Sequence, residues 1–170
     1  MKFSLITLAA LASTAVADLA SIQAALSDVS ESVTKVKSAL DGWKGDLIGT
    51  LPVVAASAEL VITLEINTLK VKKSANLTED EAIEVAGTTA DLITNTQPVL
   101  DGLTAAKPKF DKLLLSPVIY LSLLTQKSAT LDLSGAVVSK LPDIYAEVGE
   151  ALIAELSGLF DTVVAVYKPF

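Results

Sequence analysis

The chain of 170 residues contains no cysteine, no histidine and no arginine; all 13 of its basic residues are lysines. Without cysteine there is no disulfide, thiol nucleophile or zinc–thiolate site. Without histidine there is no imidazole base, no serine-type triad and no H-E-x-x-H metal motif. Without arginine there is no planar fork to clamp a carboxylate or phosphate. Aromatic residues are only 5% of the chain, too few to build stacking platforms for sugars or bases. Neither glycine-rich phosphate loop, G-x-G-x-x-G or G-x-x-x-x-G-K, occurs, and no serine sits in a G-x-S-x-G elbow. The net charge of −7 opposes binding to nucleic acid, where phosphate neutralisation drives affinity, and to anionic membranes. The expectation is a protein that is not an enzyme and takes no cofactor, metal or nucleic acid.

What remains is aliphatic. Hydrophobic residues make up 51% of the chain and charged residues 19%, with a mean hydropathy of +0.55. Disordered segments are poor in apolar residues, so this composition predicts one folded domain with a substantial core. The first residues read as an address. Met1-Lys2 gives a positive start, Phe3 to Leu11 is apolar apart from Ser4 and Thr7, and Ala15-Val16-Ala17 fits a small-residue cleavage site. Residues 1–17 are thus expected to be a secretory signal peptide and 18–170 the mature domain. No later stretch reaches the roughly 20 apolar residues of a membrane span. Leu152 to Phe170 is apolar but carries Glu155, Asp161 and Lys168 and lacks the polar spacer of a lipid-anchor signal. The expected location is therefore extracellular, in solution or held non-covalently in a cell wall. Asn76-Leu77-Thr78 is a glycosylation sequon, which places Asn76 as a candidate acceptor.

The mature sequence reads as helices throughout. Leu19, Ile22, Leu26, Val29, Val33, Val36, Leu40 and Trp43 recur at steps of three and four, one stripe along a helix of about six turns. Glycines 42 and 45 mark its end. A second helix from near Pro52 carries Val53, Ser57, Leu60, Leu64, Asn67 and Val71, with Lys70, Lys72 and Lys73 at its C-terminal end, where the dipole favours cations. Thr78-Glu79-Asp80-Glu81 is a capping box and opens a third helix running towards Asn95. Pro98 is expected to open a fourth, kinked or broken at Pro108. Ser116-Pro117 starts another piece bearing Leu121, Leu124, Ser128 and Leu131. The last helix is expected to begin between Ser134 and Leu141, to be interrupted at Pro142 and to continue through Ile144, Val148, Leu152 and Leu156. No segment alternates strictly with a period of two. The predicted fold is an all-α antiparallel bundle of five to six helices.

Acidic residues are the one plentiful reactive type. Glu79, Asp80, Glu81 and Glu84 occupy the first turns of a helix, where carboxylates stabilise the dipole. Asp143, Glu147 and Glu150 read as a solvated helix face. The aliphatic stripes either fill a core or surround an aliphatic guest. Burying the 14 or so methylenes of a sixteen-carbon chain yields roughly 11 kcal/mol, against association costs of about 4 kcal/mol or more. Such a chain, roughly 20 Å long, matches about 13 residues of helix. The candidate lining is Leu60, Leu64, Phe110, Leu121, Leu124, Val148 and Leu152. Ser57, Asn67, Thr89 and Ser128 interrupt apolar stripes and are the candidate head-group contacts, since a buried polar group needs a partner.

Val33 to Trp43 followed by Leu47 to Leu51, the stretch LDLSGAVVSKLP from Leu131 to Pro142, and the helix expected from Ile144 to Tyr167 together resemble the fungal family of hydrophobic surface-binding protein A and the cell-wall galactomannoproteins. The resemblance covers most of residues 18–170. It implies an all-α bundle, secretion to the wall or medium, and glycosylation. It also implies attachment to hydrophobic surfaces and, in the galactomannoprotein branch, a tunnel for long-chain fatty acids. The leading expectation is a secreted, non-enzymatic carrier of a fatty acid or similar lipid. The alternative is a surface-active protein that coats a hydrophobic surface or cell wall and recruits a hydrolase.

Overall fold

The computed structural model describes the backbone of residues 4–169 and the side chains of residues 18–169. The expected signal segment, residues 1–17, lies outside the side chains so described. Among the described residues all regular structure is helical: α1 Ser4–Gly42, α2 Thr50–Lys73, α3 Glu79–Lys112, α4 Ser116–Val138 and α5 Ala146–Tyr167, with a 3₁₀ turn at Asp143–Tyr145 before α5.

The local signals act as the sequence suggests in α1 and at the start of α3. Ile22, Leu26, Val29, Val33, Val36 and Leu40 are all buried along one face of α1, Trp43 is buried just past its end, and Gly45 turns the chain at a φ of 91°. At α3 the Glu81 N–H donates to the Thr78 hydroxyl and the Glu81 carboxylate accepts from the Thr78 N–H at 2.8 Å. Two of the orphan donors at this helix start are thereby satisfied.

Three boundaries differ from the expectation. Pro98 does not open a helix and Pro108 does not break one; both lie inside the 34-residue α3. A proline removes the bond to the carbonyl four residues back. Those carbonyls belong to Thr94, which is exposed, and Thr104, which is half-buried, and both prolines are themselves exposed. Water therefore reaches the freed carbonyls, and the helix continues. Ser134 to Val138 completes α4 instead of opening the last helix, and Pro142 leads into the 3₁₀ turn.

Each helix packs on two neighbours in a closed ring, α1–α2–α4–α5–α3 and back to α1, with a small contact between α3 and α4 across it. Successive helices run antiparallel. Ser32 meets Thr63 and Lys35 meets Glu59 at 2.8 Å between α1 and α2; Lys127 meets Asp161 between α4 and α5. Non-successive neighbours run parallel. Gln23 reaches Glu84 near one end of the α1–α3 pair, and Leu40 packs over Gly102 near the other. The result is two layers, α1, α3 and α5 against α2 and α4.

One end of the ring is closed by aromatic rings. Trp43 stacks on Phe110 with centroids 4.2 Å apart, and Tyr167 meets Phe110 edge-on at 6.2 Å. The Tyr167 hydroxyl donates to the Leu103 carbonyl at 2.6 Å. Burial pushes the Tyr167 phenol well above its ordinary value, and the negative charge of Asp111 pushes the same way. The opposite end is aliphatic: Ile22, Leu26, Val71, Leu77, Val85 and Val137 pack there. Of the described helices, α2 has the length and apolar content of a bilayer span, contrary to the expectation that no stretch after the first residues would reach them. Its Val53, Leu60, Leu64 and Val71 are buried in the bundle, so α2 forms one wall of the ring.

Candidate functional site

A cavity of about 280 Å³ lies between the two layers, and all five helices contribute to its wall. Leu26, Val29 and Val33 come from α1, Leu60 and Leu64 from α2, Leu133 and Val137 from α4, and Leu152 and Leu156 from α5. Its origin is the ring. Four packed helices interdigitate through the middle, whereas five arranged in a closed circuit leave axial space. Short inward side chains enlarge it: Ala82, Ala86, Thr89 and Thr96 on α3, Ser134 on α4 and Gly149 on α5 all line it.

No lysine, aspartate or glutamate is among the lining residues. The polar atoms are few. Thr89 and Thr96 donate to the carbonyls of Val85 and Leu92, four residues back on their own helix. Gln126, Thr130 and Ser134 sit at four-residue steps along the face of α4 that looks into the cavity. The Gln126 amide donates to the Ser122 hydroxyl at 2.9 Å. Tyr145 completes the polar set near the 3₁₀ turn.

The wall reaches solvent between the beginnings of α3 and α5. Ile83 lines the cavity yet is 59% exposed, and so does Val148 at 53%. The aromatic cluster seals the other end, so the cavity has a mouth and a floor.

The structure brings some of the expected site residues together and separates others. Leu60, Leu64, Val148, Leu152 and Thr89 line the cavity. Phe110 does not: it is fully buried in the aromatic plug. Leu121 and Leu124 point outward, Leu121 at 62% exposure, and Ser128 is exposed beside them. The cause is α4 itself, whose apolar residues surround the whole helix and so mark no inward side. The inward residues are Ile119, Leu123, Gln126, Ala129 and Leu133. Ser57 lines a separate small hollow of about 30 Å³ where α2 crosses α4. Asn67 is fully buried between helices without lining the cavity, and its Oδ1 has no hydrogen-bond partner. Asn76 is exposed in the link between α2 and α3. Missed from the sequence were Gln126, Thr130 and Ser134; the available signal was a polar residue at every fourth position of an otherwise apolar helix. Among the described residues, no group of three or more His, Cys, Asp or Glu is placed to hold a metal ion.

Comparison with known proteins gives the following. Residues 19–139 match the family described as hydrophobic surface binding protein A. The chain is 28% identical to cell wall mannoprotein 1 of Aspergillus flavus, over 99% of this chain and 63% of that protein. It is 26% identical to cell wall mannoprotein 1 of Aspergillus fumigatus, over 99% of this chain and 61% of that protein. It therefore spans less than two thirds of the length of these relatives. Among solved structures it is similar to ligand binding domain 1 of the Penicillium marneffei MP1 protein complexed with arachidonic acids. That match has a TM-score of 0.85 at 17% identity, covering 89% of this chain and 99% of that one. It is equally similar to AFMP4P in complex with palmitic acid, with a TM-score of 0.85 at 21% identity, covering 89% and 100%. At these identities the structural likeness establishes the fold.

Proposed function

The chain belongs to the hydrophobic surface binding protein A family, and from that premise we propose that it binds a long aliphatic lipid, a fatty acid or close analogue, in the cavity between its helix layers. The observation that carries this reading is an aliphatic space of about 280 Å³ inside a closed ring of helices. Empty apolar cavities of about 150 Å³ stay dry and accept apolar guests. At about 24 cal/mol per Å³, leaving 280 Å³ empty costs roughly 7 kcal/mol, comparable to the whole stability of a domain. An acyl chain removes that cost and adds its own burial. Two proteins of this fold are known in complex with fatty acids, MP1 ligand binding domain 1 with arachidonic acids and AFMP4P with palmitic acid. Gln126, Thr130 and Ser134 are the proposed head-group contacts, in place of Ser57, Asn67 and Ser128. The protein acts outside the cell after cleavage behind Ala17, with Asn76 exposed to receive a glycan. The cell wall relatives support a secreted or wall location.

Native mass spectrometry of secreted protein purified without detergent tests the reading, followed by palmitate titration after lipid removal. The expected result is a resident aliphatic lipid and stoichiometric uptake. A correctly folded chain that carries none and takes up none overturns it.

A second reading rests on a different surface. Leu51, Val54, Ile62, Ile66 and Leu69 of α2 are exposed on its outward face, continuing Leu47 and Ile48. An exposed apolar stripe of this extent marks an interaction site, and it fits adsorption to a hydrophobic surface. Ile62→Glu with Ile66→Glu should abolish adsorption to hydrophobic beads while leaving palmitate uptake intact; unchanged adsorption removes this reading.

A further inference from the structure

The cavity and its mouth treat a charged head group in the same way, wherever that head group comes to rest. With the head inside, an ionised carboxylate meets no cation, because no lysine lines the wall. The polar side chains it meets are all neutral: Gln126, Thr130, Ser134 and Tyr145, with Thr89 and Thr96, whose hydroxyls already donate to their own helix. Burying an isolated charge in such surroundings is far more costly than burying a hydrogen-bonded neutral group. With the head at the mouth, it meets like charge. Glu79, Asp80 and Glu84 are exposed on the same first turns of α3 as Ile83, Glu84 accepting from Gln23, and Asp143, Glu147 and Glu150 are exposed near Val148 on the opposite rim, with Glu155 two turns further along α5.

The remaining charges at that end do not offset these. Glu81 is engaged in the capping box. Lys140, between α4 and the 3₁₀ turn, donates to the carbonyls of Lys72 and Ser74 at 3.1 and 2.7 Å and thereby closes the end of α2. Lys70 pairs with Asp28 of α1 at 3.3 Å. Lys72 and Lys73 end α2, whose main packing is on α1 and α4 rather than on α3 or α5. Asp18 on α1 and Asp132 on α4 add further negative charge.

Resting on the carrier reading above, we infer that the site selects aliphatic lipids whose head group is un-ionised: a protonated fatty acid, a fatty alcohol or a primary fatty amide. The hydrogen-bonding set suits that choice. The Gln126 side chain both donates and accepts, as do the hydroxyls, so a neutral carboxyl or amide satisfies them in both directions. The free energy of binding a fatty acid then includes that of protonating it. Affinity for palmitate rises as pH falls towards the carboxyl pKa, while affinity for an amide of equal length stays level apart from the effect of the acidic rim itself.

The test uses lipid-stripped full-length secreted protein and three probes: palmitate carrying ¹³C at its carboxyl carbon, hexadecanamide and hexadecanol. Competition read by native mass spectrometry should favour hexadecanamide over palmitate at least tenfold at pH 8, and the preference should largely disappear at pH 5. The ¹³C shift of bound palmitate should titrate at least one unit above an ordinary carboxylic acid. Glu79→Gln with Glu147→Gln should lessen the discrimination at pH 8 without changing hexadecanol binding. Bound palmitate that titrates no higher than an ordinary carboxylic acid, or that is preferred over the amide at pH 8, overturns this inference and leaves the carrier reading standing. Failure of all three probes to bind at either pH overturns both.

Discussion

Replacing Thr89 by phenylalanine puts a ring into the cavity and separates a space from a core. Thr89 faces inward from α3, and its hydroxyl bonds only the Val85 carbonyl of its own helix at 2.8 Å. Removing it therefore orphans no distant group. A buried phenyl side chain covers about 150–250 Å², and at about 25 cal/mol per Å² the lower figure is about 4 kcal/mol. Readjustment of neighbouring side chains costs about 1–3 kcal/mol. Thr89→Phe should thus stabilise the lipid-free protein by about 1–3 kcal/mol, a rise in Tm of roughly 2–12 °C for a chain of this size. The ring displaces about half of a sixteen-carbon chain. Losing roughly seven buried methylenes removes about 5 kcal/mol of binding, more than a thousandfold in affinity. Scanning calorimetry and palmitate titration of the stripped protein measure the two effects. Leu123→Ala is the contrast: Leu123 is fully buried with the aromatic cluster and away from the cavity. It should cost about 2–5 kcal/mol of stability while the folded fraction binds palmitate normally. A Thr89→Phe protein destabilised by several kcal/mol that still binds palmitate as before would refute an interior with room for a guest.

Three further outcomes follow from single contacts. Tyr167→Phe loses the bond to the Leu103 carbonyl and should cost about 1 kcal/mol in urea unfolding. Because burial raises the folded-state pKa of Tyr167 above the ordinary phenol value of 10.0, its contribution is complete at lower pH and falls away as pH climbs past 10. The alkaline loss should be smaller in Tyr167→Phe, and equal slopes in both proteins would contradict this. Thr78→Ala breaks the capping box and should cost about 1 kcal/mol, with the earliest amide exchange at the first turn of α3. Gln126→Leu removes a proposed head-group contact without closing the cavity. Palmitate affinity at pH 5 should fall about fivefold, and hexadecane binding, having no head group, should not change.

Some of this architecture follows from the chain read residue by residue. In α1 a single apolar face opposes a polar one, so the period alone identifies which residues go inside. The capping box at Thr78 is a local device with a local readout. The aliphatic composition and the absence of histidine, cysteine and arginine narrow the chemistry before any coordinate is known. Only the tertiary structure decides the rest. α4 is apolar all round, so its inward side is chosen by its neighbours, and Leu121, Leu124 and Ser128 turn out while Gln126, Thr130 and Ser134 turn in. Phe110 looks like a lining residue until Trp43 and Tyr167, far off in sequence, close around it. Prolines 98 and 108 leave α3 whole because they face water, a fact about the surface rather than the residue. Periodicity states that a helix has a greasy side. Whether five such sides meet in the middle or stop short of it depends on how the helices close into a ring, a long-range property that no local pattern encodes.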